Sequence, residues 1–415
     1  MQDEATNLHE APVMINRAAI AFVFTTSLIN SIGFGIMLPV LPELIMQITG
    51  DGLSTSARYG GWLAVSFAVM QFLFAPTIGN LSDRYGRRSV LLVSLFVVGI
   101  NYLLMGFATS LVVLFVGRII SGIGSSTNST VNAYIADIVP VSKRAEYFGY
   151  MGAAFGLGFI IGPLIGGLLG GFSPRLPFHA AAGLSFANML FGFFLLPESL
   201  AADRRRPFEW SRANPIGTLV ALWHYPRVIG IVLVIFLFNF AMMVMPNTWS
   251  FFTVERYQWT ATEIGYSLAV IGVLMIIVQT VVNRWMVTNL GLRVTGTIGF
   301  VAMIISFIGY AFAAEAWMLF VAMIPGALGQ LCGPATQGMA TAQVDHGQQG
   351  ELQGGIASAI ALTSIVSPVT MTETFAYFAS AEAPVYFPGA AFILSAVICV
   401  IALGLFIRVT RPMPA

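Results

Sequence analysis

Asp83, Arg84, Arg87 and Arg88 fall within the fourteen residues GNLSDRYGRRSVLL (79–92), between two apolar runs of a chain that is only 9% charged. Carboxylates and guanidinium groups at this spacing can pair with one another or face the ends of helices, as a gate between moving parts would need; the alternative is that these charges only set membrane topology. Two more charges, Arg118 and Glu373, lie inside apolar runs, where an ionisable group is costly and functional by default. Arg118 could bind an anion or control the ionisation of a nearby acid; the alternative is a structural cation on helix-end carbonyls. Glu373, with Thr370, Thr372 and Thr374 around it, is the leading candidate for binding and releasing a proton, unless it snorkels to the outer interface. The amides Asn30, Gln71, Asn128, Asn132, Asn239, Asn247, Gln279, Gln330 and Gln337 are candidates to line a central cavity, or else hydrogen bonds between helices.

The elements that must hold these groups are membrane spans. A chain of 415 residues that is 57% hydrophobic, with a mean hydropathy of +0.84, cannot hide that surface in one water-soluble core. Twelve runs reach the ~20 apolar residues that a spanning helix needs, at 18–45, 60–80, 89–108, 111–136, 147–170, 178–197, 227–250, 264–287, 294–314, 316–342, 354–378 and 386–408. A β-barrel would show short alternating segments instead. The N-terminal tail has no basic residue before Arg17 and no small-residue cleavage site, so the first span is expected to stay in the mature protein. Placing the N-terminus inside puts 15 of the 19 Lys and Arg on the cytoplasmic side, which predicts both termini there, in a multi-pass protein of the cell's inner membrane. Cys332 and Cys399 fall within spans and the four histidines are scattered, so no disulfide, metal or cofactor is expected. With no H-E-x-x-H, nucleotide loop or appended soluble domain, an enzyme is not expected either, and a net charge of +1 gives no reason to expect nucleic acid.

The one long polar connection, near 201–226, divides the spans six and six. The expected organisation is a cytoplasmic tail 1–17, a six-helix bundle 18–198, a cytoplasmic linker 199–226 with an amphipathic segment near 212–224, a second bundle 227–408 and a tail 409–415. The halves look duplicated, because Gly86 and Gly291, Glu146 and Glu351, and Pro163 and Pro368 share one offset (291 − 86 = 205). At this offset Asp83 and Arg84 meet Thr288 and Asn289, so the charged loop has decayed in the second half. Parallel repeats of this kind place a substrate site near the midplane between the halves.

GNLSDRYGRR resembles the loop between helices 2 and 3 of the major facilitator superfamily, G-x-L-x-D-R-x-G-R-R/K, at Gly79, Leu81, Asp83, Arg84, Gly86, Arg87 and Arg88. Arg118 with Gly122 fits the family's helix 4 pattern. Gly158, Gly162, Pro163, Gly166 and Gly167 fit a helix 5 pattern associated with exporters. Within the superfamily the chain most resembles the tetracycline-efflux branch, through GIMLPVLP, SFAVMQFLFAP, FGYMGAAFGLGFIIGP, LPES and GELQG. The resemblance implies an all-α membrane fold of twelve helices in two pseudo-symmetric bundles, and an Arg87 paired with Asp137. Asp83 is expected to face the start of the eleventh span, near Leu352 to Gly354, and to latch the halves. That branch carries acids in helices 1, 3 and 9, where this chain has Asn30, Asn101 and Met303. The expected function is a monomeric secondary transporter for a small-molecule substrate, working by alternating access in the lipid bilayer: proton-linked efflux of a small amphipathic organic compound. The alternative is uptake or facilitated diffusion of a small organic solute or anion, without proton coupling through the usual acids.

Overall fold

The structure, a computed structural model, describes residues 17–125, 127–140, 143–208, 226–344 and 349–411. The first sixteen residues, the segment near 212–224 and most of the C-terminal tail lie outside the described residues. In a bilayer every backbone polar group must be satisfied internally, so apolar runs of this length become helices. The first half holds α1 (Arg17–Met37), α2 (Leu41–Thr49), α3 (Leu53–Tyr85), α4 (Arg87–Gly106), α5 (Leu111–Gly124), α6 (Thr127–Ile138), α7 (Arg144–Gly170) and α8 (Leu176–Leu195). The second holds α9 (Pro226–Met242), α10 (Val244–Tyr257), α11 (Ala261–Ile277), α12 (Asn283–Phe312), α13 (Ala316–Gly329), α14 (Cys332–Thr341), α15 (Gln349–Phe378) and α16 (Ala390–Val409).

The expected spans change in two ways. Those at 18–45, 111–136, 227–250 and 316–342 are each divided, after Met37, Gly124, Met242 and Gly329. Conversely, the spans expected at 264–287 and 294–314 form one helical run, because a π turn (Val278–Val282) joins α11 to α12 and only Gly291 inside α12 leaves the helical region. Ala261–Phe312 has 52 residues, about 78 Å at 1.5 Å per residue, far beyond the ~30 Å apolar core of a bilayer. The run therefore crosses twice and turns at Gly291. Eleven helical runs among the described residues are long and apolar enough to cross a membrane, and with this one counted twice they make twelve crossings.

The duplication is built into the backbone. Met37 and Met242 end α1 and α9, and Gly124 and Gly329 end α5 and α13. Gly86 (φ 95, ψ 151) and Gly291 (φ 77, ψ 165) adopt nearly the same left-handed conformation, open to glycine and strained for other residues. Each pair keeps the 205-residue offset, and the fold is two pseudo-symmetric six-helix bundles.

The two ends of the molecule differ. At one end, called here the far end, a single apolar cluster runs through both halves, from Leu44 and Leu63 to Trp249, Phe251 and Phe375. At the other, which carries Asp83 to Arg88, each half closes on its own cluster: Phe22, Leu91, Tyr134 and Ile135 in the first, Ile231, Leu352 and Ile356 in the second.

Candidate functional site

The charged loop is a knot inside the first half. Gly86 makes the turn, and the Glu198 carboxylate accepts from the backbone N–H groups of Arg87 (2.8 Å) and Arg88 (3.5 Å), so an anion faces the positive start of α4. Arg87, only 8% exposed, donates from Nε to Asp137 (3.2 Å), from a terminal nitrogen to Ser82 Oγ (2.6 Å), and pairs with Asp83. Arg88 donates to the Phe193 carbonyl (2.7 Å), Arg84 stands over the Tyr85 ring, and Gly79 lies beside Ser129 of α6. Arg206 N–H donates to the Asp83 carbonyl (3.2 Å). Among the described residues the Asp83 carboxylate bonds to Arg87, and the expected contact with Leu352 to Gly354 is not made in this conformation.

At the far end the halves interlock. Ser54 Oγ of α3 donates to the Ala376 carbonyl of α15 (2.7 Å), and Ser250 Oγ to the Leu38 carbonyl (2.7 Å). Arg58 and Glu373 form an ion pair at 3.2 Å, each side chain a little under half exposed. Glu373 therefore belongs to this closure and not to a cavity wall. The glycines of α7 serve two partners. Gly158, Gly162 and Gly166 pack on α1, where a Cβ at Gly162 would fall 2.7 Å from the Ile32 carbonyl oxygen. Gly167 instead meets α11 across the halves, where a Cβ would fall 2.6 Å from the Ala261 carbonyl oxygen, and Thr262 Oγ1 donates to the Gly167 carbonyl (3.0 Å). Pro163, inside α7, removes a donor just where α7 meets both neighbours. Toward the loop end, Gly149, Gly152 and Gly156 of the same helix meet nothing within 4 Å.

Between these regions lies a cavity of about 530 Å³ lined by α1, α3, α4, α5, α6 and α7. Phe34, Phe67, Phe148 and Phe155, with Met37, Met105 and Met151, give it apolar walls, and Asn30, Gln71, Asn101, Tyr102, Arg118 and Asn132 supply polar groups. Among the described residues no Asp or Glu lines it. Arg118 is 7% exposed. Its guanidinium stands over the Phe67 ring, 5.7 Å from the centroid, and its Nε has no hydrogen-bond partner among the described residues, nor has Asn101 Oδ1. The Tyr102 hydroxyl lies over Gly33, in the space a Cβ there would fill.

Of the amides picked out in the sequence, Asn30, Gln71 and Asn132 line this cavity; the side chain of Asn128 lies outside the described residues. Asn239 and Asn247 donate to carbonyls of their own helices, those of Ile235 (2.8 Å) and Met243 (2.7 Å). Gln279 donates to the Gln330 carbonyl (3.2 Å), and Gln337 to the Gln353 side chain (3.0 Å). Gln330 lines a pocket of about 30 Å³ in the second half, with Met242, Met245, Met275, Met303 and Met323. Sequence reasoning missed Tyr102 as cavity lining, Glu198 as the cap of α4 and Arg58 as the partner of Glu373.

The profile of the Major Facilitator Superfamily matches residues 23–368. The chain is similar to the tetracycline resistance protein, class C, of Escherichia coli, at 38% identity over 365 residues that cover 88% of this chain and 91% of that one. It is also similar to the class B protein of Escherichia coli, at 34% over 358 residues, covering 86% and 88%. Among solved structures it resembles the nucleoside transporter NupG, with a TM-score of 0.75 at 13% identity over 95% of this chain and 99% of that one, a likeness of fold.

Proposed function

The chain belongs to the Major Facilitator Superfamily and is a multi-pass membrane transporter, not an enzyme; from that premise we propose that it exports a small amphipathic organic compound from the cytoplasm by alternating access. The observation that carries this reading is the difference between the ends: one apolar cluster joins the halves at the far end, two separate clusters stand at the loop end, and the cavity lies between. With the Arg- and Lys-rich loop end in the cytoplasm of an inner-membrane protein, this conformation is inward-open and ready to load cargo. The bundles 18–198 and 227–408 then rock about the cavity, with 199–226 as the cytoplasmic connection. When the far end opens the loop end closes, and Asp83 passes from its intramotif pair to the start of α15. The similarity to tetracycline resistance proteins supports export as the direction. Tetracycline itself is not assigned, because Asn30, Asn101 and Met303 stand at that branch's acid positions.

A second reading concerns energy. Among the described residues no carboxylate lines the cavity, and Glu373 is engaged at the far end, which favours transport without a proton carried through the usual acids over proton exchange. Purified protein in proteoliposomes, tested against a panel of neutral, cationic and anionic amphipathic compounds with and without an imposed pH gradient, addresses both readings. Saturable, exchangeable flux of at least one compound is expected, at a rate indifferent to the pH gradient. Flux equal to that of protein-free vesicles across the panel would overturn transport. Accumulation that follows the pH gradient would restore proton exchange.

A further inference from the structure

We infer that the cargo is an organic carboxylate with an apolar, aromatic body, its carboxylate held by Arg118 at the blind end of the cavity; this rests on the export reading above. The first support is an internal control. Leu114 to Ile119 read LFVGRI and Leu319 to Ile324 read LFVAMI, at the offset of the repeat, so that Met323 occupies the place of Arg118. Asn101 and Tyr102 meet Ser306 and Phe307 in the same way. Met323, Ser306 and Phe307 line the small pocket of the second half, and Met323 is buried at 1% exposure. This architecture therefore closes around methionine at that place and does not need a cation there. The arginine belongs to one half, and that half holds the large cavity.

The second support is the state of the guanidinium. A buried cation without an anionic partner is expensive, yet among the described residues Arg118 has the face of Phe67 and the Tyr102 phenol beside it, both neutral, its Nε is unpartnered, and no carboxylate lines the cavity to balance its charge. A ligand carboxylate would satisfy the planar fork through two parallel bonds. An amine would be repelled, and a neutral amide would leave the charge uncompensated. Position fits this role. Arg118 lies seven residues into α5 from its far-end start at Leu111, about 10 Å along the axis, while Asn132 and Met151 line the same cavity toward the loop end. Phe34, Phe148 and Phe155, each more than a third exposed, offer faces to an aromatic body.

An anion also accounts for the missing acids. Leaving a cell that is negative inside, a monoanion gains roughly fiftyfold in its equilibrium ratio per 100 mV, so export proceeds on the membrane potential alone.

The test uses the full-length protein with 1-naphthoate, 1-naphthamide and 1-naphthylmethylammonium, in equilibrium binding and in proteoliposomes under a potassium diffusion potential without a pH gradient. Wild type is expected to bind the carboxylate about tenfold or more tightly than the amide, the size of a charge-assisted contact, and to move it in the direction the potential dictates. Arg118→Met, which installs the residue of the twin pocket, should lose this preference while binding the amide as wild type does, and Arg118→Lys should keep part of it. Equal wild-type affinities for acid and amide, a preference for the amine, or a preference that survives in Arg118→Met would each overturn the inference. The wild-type comparison decides even where a variant folds poorly. Flux confined to neutral or cationic compounds would leave export standing and remove the carboxylate. Arg118-dependent binding of naphthoate without flux of any compound would uphold the anion site and remove export.

Discussion

Asp83 and Glu373 are both carboxylates paired with arginine, and their surroundings give them opposite tasks. Asp83 shares Arg87 with Asp137 in a part-buried knot, and in the transport cycle proposed above its release accompanies closure of the loop end. Asp83→Asn leaves the Arg87–Asp137 contact in place, so the protein should insert and fold while transport falls by about tenfold or more, the cost of one charge-assisted contact in the closed state; transport rates normalised to folded protein check this. Glu373 and Arg58 face each other across the halves in a well-exposed pair, a class worth at most about 1 kcal/mol. Glu373→Gln should change thermal stability little and shift the resting population toward the outward-open state, read as faster labelling of a cysteine placed at Ser54 from outside. Unchanged labelling would deny the pair a gating role. The chain order shows both acids but not this division, because Arg58 precedes Glu373 by more than 300 residues. Glu198 was hidden for the same reason: it caps α4 from a turn about 110 residues downstream. Tyr102 carries no signal at all, since an aromatic residue in an apolar helix reads as core.

At the scale of elements, α7 packs on α1 inside one half and on α11 across both. Leucine at Gly162 presses on Ile32 of the same half, so it should cost about 1–3 kcal/mol of stability by overpacking, and activity should fall with the amount of folded protein. Leucine at Gly167 presses on Ala261 and Gly265 of the other half. It should leave the folded yield near wild type, block closure of the far end and stop transport. Thermal unfolding and flux measured on the same preparations separate the two, and equal losses of stability would refute the distinction. The apolar runs made twelve crossings legible, and the repeat offset located the turn at Gly291 before the backbone displayed it. The breaks after Met37, Gly124, Met242 and Gly329 were not legible, because hydropathy stays high through them. Local chemistry accounts for some: prolines at 39 and 42 follow α1, and just past α5 the Ser125 hydroxyl donates to the Gly122 carbonyl (3.4 Å), a side chain competing for a backbone acceptor.

Across the whole molecule the two halves share a backbone plan and differ in chemistry: one holds Arg118 and a large cavity with polar groups in its wall, the other a small methionine-lined pocket, with Asn239 and Asn247 bonded to carbonyls of their own helices. The central claim is that this asymmetric pair works by opening one end at a time, with the far end shut in the state described here. Arg58 and Glu373 meet across that closure with side chains a little under half exposed, whereas the native thiols, Cys332 and Cys399, are both buried. The most direct measurement is flux through protein carrying cysteines at 58 and 373 and bridged by a short cleavable bismaleimide, compared before bridging, after bridging and after cleavage. Bridging to completion should abolish transport, and cleavage should restore it. Undiminished flux through fully bridged protein would contradict alternating access at this end.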